Sequence, residues 1–297
     1  MTKKRAMALL VGLALVLPVL AFLFNNVSWP SRVSRADFAQ RLERARGASR
    51  DWALGRDDAL IEEVQARWTD LRNPALLHML VDAAEMAGEA NLKQFALTIQ
   101  SSAREGWWSR MVDPRLRFAA PPPAALVGLE EYQRWILHAL GCDQLPIAPE
   151  AQRRLLLPDA YRTGRLTHQL LALYFYGRYC ANGPIADQAR ALMPRLAERI
   201  AQEAALDFRL TDLYLQRIVC LLLAGRTDLV KPRWVERVLA AQQTNGGWKY
   251  SWYGWDSRIF RFHLARQPTS AHATAQGLWL TSLIEYRHPE WIAQHYR

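Results

Sequence analysis

The 297-residue sequence is poor in cysteine, with only Cys142, Cys180 and Cys220. Their spacing fits no zinc pattern and includes no Cys-x-x-Cys. Cys180 and Cys220 fall in apolar helical runs, where a free cysteine packs as a small hydrophobe. An odd count speaks against a disulfide framework, although one pair could bridge in an oxidising compartment. Plain core cysteines are therefore the expectation. The sequence also lacks a Gly-rich phosphate loop, a Gly-x-Ser-x-Gly elbow and a His-Glu-x-x-His helix, which argues against ATP or nicotinamide chemistry. The net charge is +10, but the arginines are scattered and no basic run carries interleaved aromatics. Nucleic acid is thus not an expected partner. Strand-like alternation between turn pairs is hard to find, which leaves an all-α chain.

The chain opens with a basic triplet, Lys3, Lys4 and Arg5, followed by nineteen uncharged residues from Ala6 to Phe24. At about 1.5 Å per residue this run approaches the hydrocarbon thickness of a bilayer. It is longer than a secretory h-region. A signal-anchor helix over residues 1–27, touching the membrane through residues 6–24, is the expectation. Pro18-Val19-Leu20-Ala21 looks like a cleavage site, so a cut at Ala21 is the alternative. Asn25, Asn26 and Trp29 mark the exit at the interface. The N-terminal cations favour a cytoplasmic start, while Arg32, Arg35, Arg41 and Arg44 follow on the other side. The balance points to a single-pass protein of the inner (cytoplasmic) membrane with a periplasmic or other extracytoplasmic body. A cytoplasmic body on an inverted anchor is the alternative.

Beyond Ser34 the pattern is helical. Phe38, Leu42 and Ala45 recur at i, i+4 and i+7, and similar stripes run through 58–71, 75–87 and 91–104. Asn73-Pro74 reads as a cap and first-turn proline. Trp107-Trp108, Pro114 and Pro121-Pro122-Pro123 interrupt the pattern over 106–123, a linker or packed crossing segment. It separates a helical part, 34–105, from a second part, 124–297. The second part repeats: Arg165-Leu166-Thr167-His168-Gln169-Leu170-Leu171 aligns with Arg209-Leu210-Thr211-Asp212-Leu213-Tyr214-Leu215 at an offset of 44 residues. Each copy opens an apolar helix, passes a glycine (Gly183, Gly225), and continues into a more polar helix, 185–203 or 231–242. Two helices per period is the pattern of stacked helical pairs. A third unit enters through Pro268-Thr269-Ser270-Ala271-His272-Ala273-Thr274 into a helix over 275–286.

Gln242-Gln243-Thr244-Asn245-Gly246-Gly247-Trp248 resembles the Gln-x-x-x-Gly-x-Trp element of α/α toroids of the terpenoid-cyclase and protein-prenyltransferase type. In that turn the glycines permit a tight bend, the tryptophan packs on the neighbouring helix pair, and the glutamine ties the turn to a helix end. The resemblance covers about 160–290 and implies a fold: an α/α-toroid-like body of stacked helical pairs. It implies no activity, because the cyclases' Asp-x-Asp-Asp and the prenyltransferases' Asp-x-Cys are both absent.

In such a toroid the inner-helix starts converge on one mouth. The repeat puts His168, Asp212 and His272 at equivalent starts. Two histidines and a carboxylate suit a divalent metal with open positions, or a general acid–base pair with an orienting partner. The plainer alternative is that each caps its own helix. Trp248, Tyr250, Trp252, Tyr253 and Trp255, with Arg258, offer flat faces and a cation for a sugar or prenyl lipid, and Asp256 could act as a general acid. A packing lid is the alternative. Two functions follow as expectations. One is a cell-envelope protein that binds a glycan, lipid or peptide, or serves as an accessory subunit. The other is a hydrolase or lyase on glycan or lipid that uses His168, Asp212, His272 and Asp256.

Overall fold

A computed structural model describes residues 16–27, 33–55, 72–102, 107–158, 166–181, 183–249, 254–255, 262–263 and 269–297. The body is all-α. A first helix, α1, covers residues 16–26. Among the described residues no helix is long and apolar enough to cross a membrane; residues 6–15 of the uncharged run lie outside them.

The body begins with α2, Arg35–Leu54. Ser34 caps it, its hydroxyl oxygen accepting from the Asp37 amide at 3.1 Å. The expected stripe is the buried face: Phe38, Leu42, Ala45, Ser49 and Trp52 all lie inside. Phe38 stacks on Tyr296 with ring centroids 3.9 Å apart, and the Arg35 amide donates to the Arg297 carbonyl at 2.7 Å. The two ends of the body are thereby sealed together.

Helical pairs follow. The first is α3, Arg72–Ala87, with α4, Ala90–Ser102. Gly88 turns between them at φ 68°, and the Glu89 amide returns to the Ala84 carbonyl at 2.9 Å. The same device recurs at Gly225, φ 70°, where the Arg226 amide returns to Leu221 at 3.0 Å. Both are six-to-one closures that need the left-handed conformation glycine adopts without penalty. Arg72 and Asn73 already belong to α3, so Asn73 is a helical residue rather than the expected cap. The expected stripe at 58–71 lies outside the described residues.

The described part of the 106–123 segment, residues 107–123, is packed into the body. It forms a short helix α5, Ser109–Val112, and buries Trp108, Met111, Val112 and Phe118 in a core shared by residues before and after it. Next come α6 (Pro123–Val127), α7 (Glu131–Leu140) and α8 (Pro149–Leu155).

The repeat is visible as two helical pairs. These are α9 (Leu166–Tyr179) with α10 (Pro184–Leu206), and α11 (Asp212–Leu223) with α12 (Pro232–Ala240). The third unit is α13 (Ala271–Ser282), then a wide turn over Leu283–Arg287, then α14 (Pro289–His295). It starts earlier than 275 because Ser270 caps it. The helix α13 packs on α2, α3 and α11, and α9 packs on α7, α10 and α11.

Among the described residues the strands are two residues long. Trp248–Lys249 (β1) pairs antiparallel with Thr269–Ser270 (β4), and Gly254–Trp255 (β2) with Phe262–His263 (β3). Such short ladders leave no alternation to read in sequence.

Cys142 and Cys180 form a disulfide, with Cα atoms 6.4 Å apart and a sequence separation of 38. This corrects the expectation of three core cysteines, which holds for Cys220 alone; that thiol is free and buried. Cys142 follows Gly141 just past α7, and Cys180 follows the last residue of α9, so the packing of those helices brings the pair together. In the chain-entropy account, closing a loop of this length contributes about 4 kcal/mol.

Candidate functional site

The Gln242–Trp248 turn is held by its own glutamine and tryptophan side chains. The Gln242 side-chain amide donates to the carbonyls of Ala45 and Gly246, both at 2.8 Å. Trp248 is 2 % exposed, and its indole donates to the Val238 carbonyl at 2.8 Å. Its ring lies against Gly277, where any side chain would strike it. Trp248 is thus a core wedge between α12 and α13, not the ligand-facing ring expected; its faces are already used. Of the other aromatic-loop candidates, Trp255 lies on β2, where only the backbone is described. Tyr250, Trp252, Tyr253, Asp256 and Arg258 lie outside the described residues.

His168, Asp212 and His272 do occupy first turns of α9, α11 and α13. The His168 ring lies against Tyr132, centroids 4.2 Å apart. The Asp212 carboxylate accepts from the Leu213 amide at 2.7 Å, a local bond at a helix start, where the dipole favours a negative charge. His272 Nε2 is 3.3 Å from the Gln276 side-chain nitrogen. Asp212 and Gln216 are one turn apart on the same face of α11, and Gln216 meets the Thr167 hydroxyl at 3.1 Å. Asp212 therefore shares the face that α11 presents to Thr167 at the start of α9. Even so, among the described residues no three His, Cys, Asp or Glu side chains gather as metal ligands. The expected metal role of His168, Asp212 and His272 therefore has no three-ligand cluster behind it.

The densest polar construction lies elsewhere, where the uncharged N-terminal run ends. Asn25 is 0 % exposed. Its amide donates to the carbonyls of Ala204 at 2.8 Å and Ala205 at 3.0 Å, and its own carbonyl accepts from the Tyr214 hydroxyl at 2.9 Å and from Arg237. Asn26 donates to the Ala205 carbonyl at 2.7 Å and accepts from Lys231 at 2.8 Å. Arg233 donates to the Phe24 carbonyl at 3.1 Å, and its guanidinium lies 4.7 Å from the Phe24 ring centre. The last carbonyls of any helix lack partners in the helix itself. Here α10, the longest described, has its orphan carbonyls satisfied by two asparagines from the opposite end of the chain. Asn25 is therefore a capping residue buried inside the body.

The same helix end holds buried charge. Arg217, 1 % exposed, pairs with Asp207 at 2.7 Å and Glu203 at 3.2 Å, and Arg209 pairs with Asp207 at 2.7 Å. Burial pushes the Asp207 carboxyl up, but the hydrogen bonds from Arg209 and Arg217 outweigh it and hold it below its usual range. Nothing in the sequence singles out this socket, because its members are spread from position 25 to position 237.

No family model, curated protein or solved structure matches this chain.

A second buried knot joins α3, α9 and α13. The Asp82 carboxylate accepts from Arg178 at 2.9 Å and from the Trp279 indole at 2.7 Å. His78, one turn earlier, bonds through Nδ1 to the Met111 carbonyl at 2.9 Å and lies edge-on to Phe175 and Trp279. Burial pushes the His78 pKa down to about 4, against the opposing pull of Asp82. A histidine held neutral in the fold costs stability once the unfolded chain takes up the proton. Stability is therefore full above about pH 6.5, falls as pH drops from there, and stops falling through this group near pH 4, a total of about 3 kcal/mol. Denaturant titrations at pH 7.5 and pH 4.5 should show this difference, and His78→Gln should flatten it; an unchanged slope in the variant would remove His78 as the cause.

Proposed function

We propose that this chain is a membrane-anchored protein of the cell envelope, single-pass in the inner membrane, whose body is an α/α toroid. On this reading it binds a glycan, lipid or peptide ligand in its central cavity, or serves as an accessory subunit. The observation that carries the proposal is the Asn25–Asn26 socket. An uncharged run that ends in residues built into the body is an integral part of the fold, as an anchor would be and a leader on a loose tether would not. The Cys142–Cys180 bridge supports export, since disulfides persist in oxidising compartments and are rare in the cytosol. The helical pairs, two of them joined by left-handed glycine turns at Gly88 and Gly225, and the Gln242–Trp248 turn support the toroid.

The test uses the whole chain with a C-terminal tag, expressed in bacterial cells. The expected outcome is a full-length product that stays with membranes after alkaline carbonate washing. Its Cys142 and Cys180 should resist alkylation in intact cells until a reductant is added. A soluble product beginning at Phe22, or thiols that alkylate without reduction, would overturn the anchor and the export respectively.

A hydrolase or lyase acting on glycan or lipid is the second reading, with His168, Asp212, His272 and Asp256 as its acid–base set. What favours it is the face shared by Asp212 and Gln216, turned to the α9 start where His168 sits.

A further inference from the structure

The socket fixes where an anchor would leave the body, and the surface around that exit is unusual. Leu206, the last residue of α10, is 72 % exposed, and Phe208 is 51 % exposed. Among the described residues beyond Val27, the other exposed large apolar side chains are Val127, Leu157 and Tyr286, and only Val127 is as open as these two. Both Leu206 and Phe208 adjoin the clamp on the anchor. Asn25 bonds the Ala205 carbonyl, and Arg237, bonded to Asn25, also donates to the Phe208 carbonyl. On α1 itself Val16, Leu17, Val19, Leu20, Leu23 and Phe24 are between 44 % and 57 % exposed. Apolar surface of this kind needs a cover.

Among the described residues, the charges next to it that lack an acidic partner are positive. Asp207 and Glu203 are matched by Arg209 and Arg217. Lys231, Arg233 and Arg237 meet neutral partners: the Asn26 side chain, the Phe24 carbonyl, and Asn25 with the Phe208 carbonyl. Glu236 on the same helix bonds to the Tyr296 hydroxyl. An apolar pair beside excess positive charge, continuous with a run long enough to enter hydrocarbon, is the chemistry of a bilayer interface.

We propose that Leu206 and Phe208, flanked by Lys231 and Arg233, form a footing that rests on an anionic bilayer beside the inserted segment. The footing rests on the anchor reading and adds to it. The asparagine clamp allows little swing at the exit, so the body is held in one orientation, with this patch at headgroup depth. Each basic group near an anionic surface contributes about 1 kcal/mol, and the two apolar side chains add their burial in the interface.

The experiment uses the full chain reconstituted in vesicles of phosphatidylglycerol and phosphatidylethanolamine, with an environment-sensitive fluorophore on a single introduced thiol. The native cysteines are bridged or buried. Labels go at Phe208→Cys, at Leu20→Cys in the anchor, and at Asp187→Cys. Position 187 is in the first turn of α10, so about 28 Å of helix separates it from Leu206. Quenching by nitroxide-bearing lipids is expected at 20, about twofold or more at 208, and not at 187. Quenching at 20 without quenching at 208 would overturn the footing and leave the anchor. No quenching at 20 would overturn both. Equal quenching at 187 and 208 would put a different face on the lipid and overturn the footing as placed.

Discussion

Asn25→Ala is expected to destabilise the body by about 3 kcal/mol, although the residue belongs to a segment that sequence reasoning assigns to a membrane. Asn25 is 0 % exposed and serves both sides of its bonds. Truncation leaves the Ala204 and Ala205 carbonyls without the donor that satisfied them, at the end of a long helix. It also leaves the Tyr214 hydroxyl and one arm of Arg237 with only each other, 3.5 Å apart. Stranding buried groups costs more than a hydrogen bond contributes when made, because each keeps its full desolvation penalty. The Phe208 carbonyl still holds the other arm of Arg237, which keeps the loss below that of a fully orphaned buried charge. For a body of this size the melting midpoint should fall by roughly 6–12 °C.

Three comparisons isolate the cause. Tyr214→Phe removes one bond and should cost about 1 kcal/mol. Deletion of residues 1–19 should leave the midpoint close to that of the intact chain, because the described part of α1 before Ala21 is mostly exposed. Deletion of 1–26 should reproduce the loss. Thermal unfolding in a mild detergent reads all four. An Asn25→Ala midpoint within error of the intact chain would mean that the socket does not hold in solution, and the fixed orientation inferred from it would go too.

How much of this was legible in the sequence depends on the range of the interaction. The stripe Phe38–Leu42–Ala45, the paired helices of the repeat and the Gly225 turn are local in sequence, and each stands in the structure close to where the spacing puts it. The helix starts at His168, Asp212 and His272 were legible for the same reason. Their mutual placement was not, because it depends on how three helices rotate against each other. Long-range partnerships were invisible. The Cys142–Cys180 bridge rests on where α7 and α9 end, and the Asn25 socket joins residues about two hundred positions apart. An asparagine after an apolar run reads as the exit from a membrane in either case, since the sequence does not show that a helix end lies in wait for its amide. Trp248 was half legible: its packing followed from the turn, while its position in an aromatic stretch suggested a ligand face that Gly277 and Val238 already occupy.

That turn supplies the sharpest test of the resemblance as physics. Gly246 sits at φ +87°, where an L side chain costs on the order of 1–2 kcal/mol by backbone strain alone. A Cβ there would also overlap the backbone carbonyl of Ala48 in α2, which can yield only if the helix or the turn moves. Moving the turn would break both Gln242 bonds and lift Trp248, one of the largest fully buried side chains, off the Val238 carbonyl. Gly246→Ala is therefore expected to cost about 4 kcal/mol or more, strain and lost packing together. Gly47, the residue before Ala48, gives the matched control. It lies inside α2 with nothing within 4 Å of an added Cβ, so Gly47→Ala should stabilise by up to about 1 kcal/mol through helix propensity. The same substitution at two glycines flanking one contact should thus act in opposite directions. Equal melting midpoints for the two variants would show that the turn is not wedged on α2. The glycines of the Gln-x-x-x-Gly-x-Trp element would then be there for some reason other than close approach.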